Sequence, residues 1–334
     1  MRADQPMVNR SKKNNSTEPL GIWDASLRKD YTEIVSKLGP QVKAKVKKIW
    51  GLRNVFYSLI GFLLVEVAVS LAVVTFAIAK ASPADRLDPS KLSTLFTKVL
   101  TEPLILFGVQ FSMYLAWVSF MFFATRFQGL KSFRKDFWLK FRWYDLPLGA
   151  GIAWGLIALE TFILWVLPVA FPHLDMKGTN NGAFLQSQTG VAFYLIAIGI
   201  GGIAGPFFEE LYFRGFIMQG FIRYFRKGLR TKPVSRFGLR VSASNPSLYA
   251  FYVKSKFWMY KHKYLLAIIL SSVAFGAMHF QGTQYFGQWL VVILTGLIGV
   301  VLAWIAIKTK RLGLGIFVHI FFNTTSLLLP IIFK

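Results

Sequence analysis

Two carboxylates and a guanidinium stand in the stretch Gly205-Pro206-Phe207-Phe208-Glu209-Glu210-Leu211-Tyr212-Phe213-Arg214, inside an apolar segment from about Val191 to Ile222. Ionisable side chains at membrane depth are costly, so they are rare unless paired or functional. On a helix Glu210 and Arg214 are four apart and share a face, which lets them pair. Glu209 is rotated roughly 100° from Glu210. The spacing predicts a Glu210–Arg214 brace and leaves Glu209 free to do chemistry. The rival expectation is that both acids only make structural salt bridges between helices.

Two further apolar segments carry the other candidate groups. His279 ends Phe275-Gly276-Ala277-Met278-His279, and His319 opens His319-Ile320-Phe321-Phe322-Asn323. His319 and Asn323 are four apart and face the same way. Phe275 lies one turn below His279 and can fix its ring by packing. His173 and His262 fall in connecting loops and read as solvated. At about 1.5 Å per residue, Glu209 comes out about 21 Å above Arg223, His279 about 24 Å above Lys263, His319 about 12 Å and Asn323 about 18 Å above Arg311. Acid, imidazole and amide are thus expected in one layer facing the bundle interior. Two chemistries fit. In one, Glu209 and His279 polarise a water for amide hydrolysis, with His319 and Asn323 stabilising the oxyanion. In the other, Glu209, His279 and His319 hold a zinc ion that activates the water, with Asn323 behind them. No His-Glu-x-x-His pattern is present, so spacing does not establish the metal.

The elements that must position these groups are membrane helices. Of 334 residues 54% are hydrophobic, too apolar for an ordinary soluble domain. Seven long apolar runs stand out, at about Val55–Ala79, Leu104–Ala124, Leu146–Phe171, Val191–Ile222, Tyr264–Phe280, Phe286–Ile307 and Leu312–Phe333. The expected fold is all-α, a polytopic bundle of about seven spans. The chain reads as a basic tail (1–52), accessory helices (53–190), and a core (191–334) interrupted by a basic loop (223–263). Val42–Trp50 reads either as a helix on the membrane surface or as part of a solvated tail. Lys80–Pro103 reads as a mixed loop. Basic and non-basic loops alternate, with Lys308, Lys310 and Arg311 in the sixth, which places the N-terminus in the cytoplasm. The formal charge of +24 sits in tails and loops, so it reads as topology and lipid contact, and no nucleic-acid partner is expected. The chain has no cysteine, which removes disulfides and thiol chemistry. Glu66 and Glu160 also lie within spans; either could line the cavity, but they are expected to hydrogen-bond a neighbouring helix.

Glu209-Glu210-x-x-x-Arg214, Phe275-x-x-x-His279 and His319-x-x-x-Asn323, in that order and each in its own segment, resemble the three signature motifs of the CPBP intramembrane protease family. That family includes the type II CaaX prenyl endopeptidases and bacterial proteins linked to bacteriocin immunity and peptide processing. The resemblance implies that Glu209 and His279 activate water, that His319 and Asn323 form the oxyanion site, and that Arg214 orients Glu209 and Glu210. It leaves metal dependence open, with the metal-independent form slightly favoured over zinc. The expected protein is a multi-pass endopeptidase of a bacterial cell membrane, acting on a membrane-associated or lipidated peptide. Its rivals are a non-catalytic regulator or immunity protein that binds a peptide or partner in the same cavity, and a proton-coupled transporter.

Overall fold

A chain crossing hydrocarbon must satisfy its backbone polar groups internally, which leaves helices for these apolar runs. The computed structural model describes residues 50–82, 86, 88–176, 190–227, 246–280 and 286–332. It is helical, with no strand among the described residues. The helices are α1 (Leu52–Lys80), α2 (Pro89–Thr101), α3 (Pro103–Phe123), the single turn α4 (Phe133–Asp136), α5 (Asp145–Ala170), α6 (residues 191–227), α7 (Pro246–Lys261), α8 (Lys263–Ala277), α9 (Phe286–Thr309) and α10 (Gly313–Ile332). The larger of two units comprises Lys47–Thr231 with Lys254–Lys334 and holds all the elements described below; of the smaller, Met1–Val46 with Lys232–Val253, the described part is the start of α7.

Six helices are long and apolar enough to cross a membrane: α1, most of α3 with its extension to Gln128, α5, α6, α9 and α10. Their outer faces stay apolar, with Trp165 and Val169 of α5 68% and 72% exposed. This is a multi-pass membrane protein. The run expected as a fifth span is α8, an apolar helix of only 15 residues. His279 therefore lies just beyond a helix end, its N–H donating to Gly276 O at 2.9 Å.

The stretch Lys80–Pro103, expected as a loop, contains α2. Asp88 caps this helix, its Oδ1 accepting from the N–H groups of Ser90 (3.0 Å) and Lys91 (3.4 Å), and Pro89 opens it where a missing N–H costs nothing. Residues 42–49 of the expected surface helix lie outside the described residues. Trp50 is fully buried: it stacks on Phe216 at 4.8 Å, and the Arg223 guanidinium lies 3.6 Å from its ring centre. Arg223 also approaches the buried Asp136 at 3.9 Å, so this arginine is fastened to the protein at the level taken as the aqueous edge. Arg311 is likewise no free loop charge. It pairs with the buried Asp145, whose Oδ2 accepts from Arg142 N–H at 2.8 Å, tying the α9–α10 junction to the start of α5.

The core is aromatic where α3 and α6 meet. Trp117 and Tyr212 stack at 4.6 Å and 1°, and the Tyr212 hydroxyl bonds Ser58 of α1 at 2.8 Å. On the other side α5 packs against α10, and a Cβ at Gly149 would meet Phe317 Cβ at 2.7 Å. Among the described residues, the acids expected to bond neighbouring helices make no such bond. Glu66 Oε1 is buried without a hydrogen-bond partner there, and Glu160 lines an apolar groove of about 80 Å³ between α5 and α9.

Candidate active site

Helix α6 carries the two glutamates, and its backbone is irregular on both sides of them. Residues Ala197–Ala204 and Glu210–Ile217 are π-helical and flank the short α-helical piece Gly205–Glu209. Pro206 has no N–H, so Gly202 O loses its i+4 donor. Gly205 N–H reaches back to Ile200 O in the π pattern, which frees Gly201 O. Two carbonyls thus lose their i+4 helical donors at membrane depth, where each must be satisfied. Helix α10 supplies the donors: Asn323 Nδ2 to Gly201 O and Thr324 Oγ1 to Gly202 O, both at 3.1 Å. Gly202 lets the helices come this close, because a Cβ there would lie 2.8 Å from Thr324 Oγ1.

Glu210 and Arg214 are both fully buried and pair at 2.7 Å between Oε1 and Nη1. Arg214 Nη2 donates to Gly299 O on α9 at 3.3 Å, and its guanidinium lies 4.2 Å from the Phe275 ring centre. Two more glycines shape this nook: a Cβ at Gly299 would lie 3.2 Å from Arg214 Nη2, and one at Gly315 would lie 3.4 Å from Glu210 Oε2. Such a buried pair is set by these surrounding contacts, since removing charges from water costs several kcal/mol per ion.

His319 lies between the two glutamates. Its Nδ1 is 3.1 Å from Glu210 Oε1, and its Nε2 is 3.7 Å from Glu209 Oε2. Glu209 Oε2 is buried and has no hydrogen-bond partner among the described residues. The nominal heights of about 21 Å and about 12 Å do not keep Glu209 from His319, because Arg223 and Arg311 do not mark one common edge. Phe275 stands between the two imidazoles, edge-on to His279 at 4.9 Å and to His319 at 5.6 Å. His279 Nδ1 lies 2.9 Å from Phe275 O. A carbonyl only accepts, so Nδ1 carries the proton and, in the neutral ring, Nε2 presents a lone pair.

The structure therefore joins Glu209, Glu210, Arg214 and His319 directly, and brings His279 to the other face of Phe275. Asn323 is engaged with the α6 backbone, with its second N–H left for another acceptor. Sequence reasoning does not find Thr324, Gly299 or Gly315, whose parts depend on contacts across helices. The three donors considered for zinc do not converge. The two nitrogens of His319 face different carboxylates, and among the described residues no three such side chains form a group able to hold a metal ion.

The all-α membrane bundle thus holds an acid–imidazole set inside it. Residues 191–325 match the family model described as Rce1-like, type II CAAX prenyl endopeptidase. The match covers less than half of the chain, contains all three motifs and supports a likeness to the CPBP intramembrane proteases. No curated protein and no solved structure matches the chain.

Proposed function

We propose that this protein is an intramembrane endopeptidase in which Glu209 activates the attacking water. The observation that carries the reading is the division of labour between the glutamates. Glu210 is held by Arg214 and His319, while Glu209 keeps a buried, unpartnered Oε2 beside His319 Nε2. A buried carboxylate oxygen without a protein donor is the place for a water, which then has two polar partners at once.

In this mechanism Glu209 Oε2 takes a proton from the water as its oxygen attacks the scissile carbonyl carbon. The same proton passes to the leaving amide nitrogen as the C–N bond breaks. His279 Nε2 accepts a hydrogen bond from the water's other proton and holds its orientation. His319, and the free N–H of Asn323, face the oxyanion. No step passes through a metal, because the donors do not converge on one point. The substrate is a membrane-embedded or lipid-anchored peptide, since the candidate groups lie within a lipid-facing bundle. The N-terminus is assigned to the cytoplasm on the alternation of loop charge, and the protein to a bacterial cell membrane.

The test is peptide release from a lipid-anchored peptide in liposomes, comparing wild type with Glu209→Gln and His279→Ala. Loss of about 10²–10⁴-fold in each variant is expected, the range for a positioned acid or base. Equal release by all three would remove the assignment and leave a non-catalytic binding protein.

A further inference from the structure

Tyr114 lies on α3, outside the segment that matches the protease family. Its ring is buried, stacked on Phe208 at 4.8 Å and tilted against Trp117 at 6.0 Å. Packing of this kind needs only a phenyl ring, yet the residue carries a hydroxyl, and a tyrosine O–H set in an apolar bundle ordinarily finds a partner. Tyr212 shows the ordinary case, bonded to Ser58 at 2.8 Å. The Tyr114 hydroxyl makes no hydrogen bond to a protein group among the described residues. It points to the catalytic helix at Gly205. A Cβ there would lie 2.9 Å from Tyr114 Oη and 3.6 Å from Glu209 Oε1. The phenol and the carboxylate therefore border the same small space, which exists because residue 205 has no side chain.

We infer that Tyr114 is a positioning residue for Glu209: its O–H donates to Oε1, directly or through one water, and so turns Oε2 toward His319. The inference rests on the protease reading for its kinetic consequence but not for its geometry. The charged and titratable groups around Glu209 are then Tyr114 from α3, His319 from α10, and Glu210 and Arg214 from α6 itself, with His279 at the end of α8. The two oxygens of Glu209 have separate tasks. Oε1 is held from the accessory helices, and Oε2 works with the water. This would make α3 part of the reaction machinery and not only a lipid-facing support.

Tyr114→Phe removes the oxygen and keeps the ring. The expected result is a fall in kcat of about 10-fold to 100-fold, as for loss of a hydrogen bond to a charged group, with KM and the thermal midpoint unchanged. Infrared spectroscopy supplies a readout that does not need turnover. The Glu209 carboxylate band, isolated by difference against Glu209→Gln, shifts in Tyr114→Phe. An unchanged band together with wild-type kcat overturns the inference. If Glu209→Gln still releases peptide, the protease reading fails, and the band shift decides the Tyr114 contact on its own.

Discussion

Glu210 Oε1 is shared: Arg214 Nη1 lies 2.7 Å from it and His319 Nδ1 3.1 Å. One oxygen thus links the guanidinium of α6 to the imidazole of α10, and the orientation of His319 depends on a pair that is itself fully buried. Arg214→Met leaves Glu210 buried without its cation. Removing one partner of such a pair costs about 3–5 kcal/mol. Arg214→Met is expected to lower the thermal midpoint in detergent strongly, and Glu210→Gln less so, because an amide keeps the shape and one acceptor. Melting curves of the two variants beside wild type check the order.

Metal removal gives a second prediction. His319 turns its nitrogens toward different carboxylates, so no coordination point is shared by Glu209, His279 and His319. Peptide release is expected to persist after prolonged treatment with a chelator, and purified active protein is expected to hold no stoichiometric zinc. Activity lost to chelator and restored by zinc alone would show that these side chains regroup around an ion.

Helix α8 meets α9 along small residues, and a Cβ at Gly276 would lie 2.6 Å from Val292 O. A backbone oxygen cannot swing aside, so Gly276→Ala must push the helices apart. The cost is expected to be about 1–3 kcal/mol, as for other overpacked sites. His279 donates its own N–H to Gly276 O, so activity should fall along with the midpoint. Gly151, where an added Cβ would meet nothing within 4 Å, is the matched control, and Gly151→Ala should leave both measurements unchanged.

Asp145 and Arg311 allow a double-mutant cycle at a second buried pair. Asp145→Ala leaves Arg311 buried and unpaired and is expected to destabilise by about 3–5 kcal/mol. Adding Arg311→Met removes the stranded charge and should recover much of that loss. Thermal midpoints of the two single variants and the double variant measure the coupling, and additive losses would argue against a direct pair.

Much of this architecture is legible in the residues. Apolar runs of span length announce the bundle, and i, i+4 spacing announces the pairing of Glu210 with Arg214. What periodicity does not carry is the phase between helices. Nothing local says that His319 reaches both glutamates, that Tyr114 faces Gly205, or that Asn323 is held by Gly201 O. The last follows from Pro206 and the π-helical backbone before it. The missing N–H announces that a carbonyl is freed, but not which side chain satisfies it. Counting charges also misleads at Arg223 and Arg311, because a cation buried against Trp50, Asp136 or Asp145 no longer reports on the nearest aqueous phase. Asp88-Pro89, by contrast, is a readable helix start, obscured by the mixed composition around it.

The brevity of α8 has a consequence for the lipid around it. Fifteen residues rise about 22 Å, against a hydrocarbon thickness of about 30 Å. A bilayer accommodates so short a rod by thinning beside it. On the proposed function, the imidazole that follows the rod would lie beside such a dimple, where a substrate would need to be drawn only part of the way into the oil.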